Sequence, residues 1–129
     1  MNITSDALLT DLYELTMAQA YLAQGMTDIA VFEFFVRKLP PQRNFFMAAG
    51  LEQVLNYLEE FQFSDADIAW LDQTGGFRPA SLNALRAMRF TGEVHAMPEG
   101  SLFFPHEPIL RITAPLPQAQ LVETRVMNL

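Results

Sequence analysis

Cysteine is absent from the 129 residues. Disulfide bracing, thiolate zinc sites and a cysteine nucleophile are therefore excluded. Basic residues are scarce: 8 Lys and Arg stand against 15 Asp and Glu, for a net charge of −7. A surface of that sign disfavours non-specific nucleic-acid binding, which needs cations against phosphates. The same field repels small anions, so any phosphate site must be a local basic cluster. Long apolar runs are missing as well. No stretch nears the ~20 residues of a membrane span, and MNITSDALL lacks the basic start of a secretory leader. The default reading is a soluble cytoplasmic protein with no nucleic-acid and no membrane partner. The chain also contains no G-x-x-x-x-G-K-[ST] loop, no plausible metal cluster, no internal repeat and no low-complexity linker.

What is present is apolar. Half the residues are hydrophobic, with 11 Phe and 7 Met. That is ample for the core of one ordinary domain. The spacing predicts a helix over 12–24, closed by Gly25. Leu9, Tyr13, Met17 and Ala20 form one stripe and Leu8, Leu12 and Leu15 another, so its start should be buried on more than one side. Residues 29–37 read as a strand, and Phe on both faces implies cover on both sides. Residues 47–61 carry the helical stripe Leu51, Val54, Leu55, Leu58 and Phe61, with Gly50 inside it for close packing. Ser64 should cap a short helix ending near Leu71, before Gly75-Gly76, and a third short helix should span about 80–88. The period then changes to two, giving strands at about 91–97, 101–104 and 108–114 with turns at 98–100 and 105–108. Pro117 opens a last helix, whose apolar spacing runs to Leu129 without a cap. A helix that stops in mid-pattern suggests a fragment of a longer chain.

TDLYELTMAQAYL, residues 10–22, holds the residues with the most chemical interest. Asp11 and Glu14 have the spacing of a capping box. The preceding arm should be extended. Unpaired N–H groups and a positive dipole end gather at such a helix start. A ring presented there, Tyr13, could cover a small planar ligand, or it could be an amphipathic core residue with Asp11 as a plain cap. Both side chains can face one pocket only if Asp11 lies outside the helix. Arg37 and Lys38 are adjacent cations at the end of strand 29–37. They could form a surface pair, with Arg37 bridging Glu33, or a phosphate contact in which the planar Arg37 fork is the better fit. Arg43 is a weaker candidate, and His95 and His106 read as structural.

TDLYELTM is followed in order by FEFFVRKLP (32–40), AGLE (49–52), GEVHAMPEG (92–100), PHEPILRITAP (105–115) and QLVETR (120–125). Together these resemble the N-terminal part of nicotinate phosphoribosyltransferase. The resemblance implies an α+β fold, the hammerhead-like N-terminal domain of type II phosphoribosyltransferases, with helices and a small barrel-like β-sandwich. It implies that residues 1–116 form this domain and that 117–129 begin the helix leading into an α/β barrel. It also implies the activity. Nicotinate and phosphoribosyl pyrophosphate would be joined to nicotinate mononucleotide and pyrophosphate, with ATP hydrolysis and Mg²⁺, in NAD salvage. The complete enzyme would be a homodimer, and this stretch by itself would be inactive and bind no cofactor. By similarity Tyr13 stacks on the pyridine ring, Asp11 lies beside it, and Arg37 with Lys38 approaches phosphate from a neighbouring subunit. No catalytic residue and no metal ligand falls in these residues; the phosphorylated histidine of the family matches neither His95 nor His106. A nicotinamide or quinolinate phosphoribosyltransferase, or a non-catalytic binding or assembly module, stays open.

Overall fold

The computed structural model describes residues 6–129. Asp6–Leu8 forms one 3-10 turn, so the described end of the arm is not extended, and residues 1–5 lie outside the described residues. Five α-helices and two small antiparallel sheets follow. They are α1 (Leu12–Ala23), β1 (Ile29–Phe34), β2 (Phe46–Met47), α2 (Leu51–Glu59), α3 (Asp65–Thr74), α4 (Pro79–Ala87), β3 (Glu93–Ala96), β4 (Leu102–Phe103), β5 (Leu110–Pro115) and α5 (Leu116–Met127).

Local chemistry accounts for several boundaries. Gly25 sits at φ 67° just past the end of α1, where a left-handed residue releases the chain. Ser64 accepts from the Asp67 N–H and the Asp67 carboxylate accepts from the Ser64 N–H, a complete capping box at α3. Pro79 and Pro117 occupy first-turn positions of α4 and α5, where their missing N–H costs nothing. Helix α2 begins four residues later than the apolar period suggests. Phe46–Met47 pairs with Leu102–Phe103 as a two-stranded ribbon instead, and the Phe46 and Phe103 rings stack at 5.7 Å. Gly50 is therefore the residue before the helix, not inside it. It adopts φ 97°, and a Cβ there would lie 2.5 Å from the Leu129 carbonyl oxygen.

The main sheet has the order β1-β5-β3, all antiparallel. It is open, with β1 and β3 at its edges, and forms no closed barrel. Three strands are too few to curl onto themselves. Helix α5 lies across the core and contacts α1, β1 and β5. Leu121 and Val122 on α5, Ile112 and Ala114 on β5, and Leu71 and Leu85 from α3 and α4 are almost wholly buried. Tyr57, Phe61 and Phe63 extend this core by two edge-to-face ring contacts at 5.7 Å.

Three burial expectations fail. The sheet is covered on one face only: Ala30, Phe32 and Phe34 pack toward the core, whereas Ile29 and Val31 are 65% and 56% exposed. Phe35, which suggested a second covered face, lies beyond the strand and is exposed. Helix α1 is likewise buried on one side. Leu15 and Ala18 face inward with Glu14, while Leu9, Leu12 and Tyr13 are exposed. Leu55, expected in the α2 stripe, is also exposed; Tyr57 takes the inner position.

Candidate functional site

Asp11 occupies the N-cap of α1 with extended backbone, φ −84° and ψ 149°. It is thus outside the helix, the condition under which it and Tyr13 can share a face. Its side chain makes no capping bond. The expected Asp11–Glu14 box is incomplete, because α5 supplies the Asp11 carboxylate with another partner. The Thr124 hydroxyl lies 3.0 Å from Asp11 Oδ2 and 2.9 Å from Glu14 Oε1. The Thr124 backbone N–H also donates to Glu14 Oε1 at 3.0 Å, and the Thr10 hydroxyl donates to Glu14 Oε2. Glu14 is completely buried. Burial pushes its carboxyl above the ordinary value; the bonds from Thr124 pull the other way, and the Glu123 charge adds to the rise.

Tyr13 stands one residue into this arrangement and is 46% exposed. A core tyrosine would not be. Its phenol is pushed up by burial of part of the ring, then by the charges of Glu123, Glu14 and Asp11, while the neighbouring Thr124 hydroxyl works against them. A phenol ring with one open face, edged by carboxylates, results. It suits a planar ligand that carries positive charge or places its electron-poor edge toward the acids.

Arg37 lies elsewhere. It lines a hollow of about 700 Å³ with Val31, Phe35, Gly50, Glu99, Val126 and other residues of β1, α2 and α5. Glu123 lines the same hollow, whereas Tyr13 and Asp11 do not. The structure therefore places the two predicted groups at separate positions, with Glu123 bordering both. Arg37 does not bridge Glu33. Arg37 lies beyond the end of β1, while Arg111 stands directly opposite Glu33 on β5 and binds it at 2.7 Å. Arg37 and Lys38 make no ion pair with any described residue, and both are exposed. The N-terminus of α2, which also opens on the hollow, is already filled: Glu99 accepts from the Gly50 and Leu51 N–H groups at 2.9 and 3.0 Å. A phosphate at this hollow would meet Arg37 but also several carboxylates. It would need further cations from outside these residues.

Arg43 stacks loosely over Phe46, 5.9 Å from the ring centroid. His95 pairs within the sheet opposite Arg111, and His106 packs at 6.0 Å from the Phe35 ring in a left-handed turn, φ 68°. Among the described residues no group of three or more His, Asp or Glu could hold a metal ion. The residues that sequence reasoning missed are Glu14, as a buried acceptor, and Thr124. The only trace of the second is its place within QLVETR.

A family model for the nicotinate phosphoribosyltransferase (NAPRTase) N-terminal domain matches residues 8–129. The chain belongs to this family. It is 53% identical over 122 residues to nicotinate phosphoribosyltransferase of Mycobacterium tuberculosis and 42% identical over 124 residues to that of Bacillus subtilis. Each match takes in 95% of this chain but 26% and 25% of the relative, so the chain spans about a quarter of the curated relatives it matches. The fold agrees. A crystal structure of human nicotinic acid phosphoribosyltransferase superposes with a TM-score of 0.83 at 40% identity, covering 93% of this chain and 25% of that one. The α+β architecture and the position of α1 against α5 are thus features of a nicotinate phosphoribosyltransferase N-terminal domain.

Proposed function

We propose that this domain supplies the ring-facing surface of a nicotinate phosphoribosyltransferase acting in NAD salvage. The observation that carries the reading is the family match over residues 8–129 together with a half-open tyrosine at the start of α1. On this reading Tyr13 covers one face of nicotinate, and Asp11 lies along its edge. The carboxylate of nicotinate points away from Asp11, Glu14 and Glu123, because like charges side by side repel. Arg37, with Lys38 second, faces a phosphate group across a subunit boundary in a homodimer. That arrangement accounts for Arg37 and Lys38 having no ion-pair partner among the described residues.

The reaction joins the pyridine nitrogen to the ribosyl carbon of phosphoribosyl pyrophosphate as pyrophosphate leaves. This domain contributes orientation of the ring, an entropic service. Stabilisation of the departing charge, and the ATP and Mg²⁺ of the complete enzyme, belong on this reading to residues outside this stretch. On this reading the setting is the cytoplasm.

The test is a product assay on the enzyme that carries this domain. Labelled nicotinate, phosphoribosyl pyrophosphate and ATP should yield nicotinate mononucleotide, with ATP consumed. Turnover of nicotinamide alone, or release of carbon dioxide from quinolinate, would assign it to a relative with another substrate. No turnover of any pyridine would return it to a binding or assembly role.

A further inference from the structure

We propose that Thr124 is a positioning residue, a single hydroxyl on α5 that sets Asp11 and Tyr13 relative to one another. The inference rests on the reading of Tyr13 as a ring contact. It goes beyond that reading by naming what holds the contact in place.

Three observations point to it. First, Asp11 at an N-cap would ordinarily turn its carboxylate back onto the first helical N–H groups. Here it turns away, and Oδ2 meets the Thr124 hydroxyl at 3.0 Å. Second, the backbone of Thr124 is itself pinned, because its N–H donates to Glu14 Oε1 at 3.0 Å. Glu14 in turn is held from the other side by Thr10. Third, Glu14 is wholly buried without an ion-pair partner among the described residues. A buried carboxylate of that kind stabilises a fold less than an apolar side chain of the same size. What this one delivers is a fixed α5 backbone at Thr124, 110 residues away in sequence. The Thr124 hydroxyl, with one proton and two carboxylates within 3.0 Å, is the point where α5 reaches the face that carries Asp11 and Tyr13.

The experiment compares Thr124→Val, Thr124→Ser and Thr124→Ala. Val keeps the shape and the backbone bond to Glu14 but loses the hydroxyl. Ser keeps the hydroxyl. Ala loses it without placing a second methyl between the carboxylates, and serves if Val does not fold. In the enzyme that carries this domain, Val or Ala should raise the KM for nicotinate roughly 3- to 10-fold, the worth of one hydrogen bond. kcat should stay within about twofold, and Ser should recover the low KM. An unchanged KM in a folded Val or Ala variant overturns the proposal, and so does equal impairment by Ser. A second readout needs no substrate. In the 129-residue chain the Tyr13 ring carbon resonance, assigned with Tyr13→Phe, should move in Thr124→Val and return in Thr124→Ser. If it stays put in Val, the proposal fails. If it moves as expected while the wild-type enzyme turns over no nicotinate, positioning by Thr124 stands and the substrate reading falls.

Discussion

Replacing Tyr13 separates a ring contact from a core residue. Truncating a fully buried aromatic to alanine costs about 3–5 kcal/mol of stability. Tyr13 is 46% exposed, so the loss should be well below that. It is partly offset by the better helix propensity of alanine near the first turn. The ligand side is larger. A tyrosine can bury about 200 Å², of which about half is still open here. Covering one face removes roughly 50 Å² from water, or about 1.2 kcal/mol at 25 cal/mol per Å². Offset stacking adds about 1 kcal/mol. The sum, about 2 kcal/mol, corresponds to a roughly 30-fold weaker Kd for nicotinate in Tyr13→Ala. Tyr13→Phe keeps the ring and should retain most of the affinity. Calorimetric titration with nicotinate and thermal melts, run on wild type, Phe and Ala in the enzyme that carries this domain, measure both quantities on the same samples. A melting loss near the buried-aromatic range with unchanged nicotinate affinity would refute the reasoning and remove Tyr13 from the site.

Two further outcomes follow from the same geometry. Gly50→Ala should destabilise the domain by about 1–3 kcal/mol, because an L-residue is strained at φ 97° and its Cβ would press on the Leu129 carbonyl; urea unfolding should show a lower midpoint, and an unchanged midpoint would mean that the α2 start is free to shift. The raised Glu14 carboxyl means that the folded state holds its proton more tightly than the unfolded state does, so its contribution is full at and below the ordinary value of 4.5 and is lost as pH rises through the higher folded value. Melting temperature followed across that range should fall with pH by this contribution, and Glu14→Gln should flatten that part of the profile; an identical profile in the variant would refute the assignment.

Much of the fold could be read from local signals. The Ser64–Asp67 box, Pro79 and Pro117 at helix starts, and Gly25 and Gly75 at helix ends act within four residues of themselves. Their geometry is set by the backbone they cap, and at these positions it survives packing, unlike the Asp11 cap, whose carboxylate turns to Thr124. The strands β1 and β5 were legible for a similar reason: alternation over six residues sets which side chains face the core. The ribbon at Phe46–Met47 was not legible, because two residues carry no period and its partner lies in a segment far along the chain.

The site divides along the same line. That Asp11 stands outside α1, with Tyr13 just inside it, follows from the residue types at the helix start. The resemblance carried by TDLYELTM and QLVETR is likewise a property of the sequence alone. Which partner each carboxylate takes is different. Glu14 keeps the Asp11 N–H three residues back within reach, but α5 packing on α1 adds Thr124, more than a hundred residues on, within 3.0 Å. Glu33 similarly pairs with Arg111 across the sheet and not with Arg37 along its own strand. The sequence by itself determined most of the helices and longer strands, several of their caps, and which family the chain belongs to, since those depend on short-range backbone geometry and on residue identity. Only the tertiary structure decided that the sheet stays open on one face, that Tyr13 is half exposed, and that Thr124 gathers Asp11 and Glu14. Those outcomes depend on which surfaces meet once the chain has packed, and a carboxylate with several possible donors bonds the one that packing brings nearest.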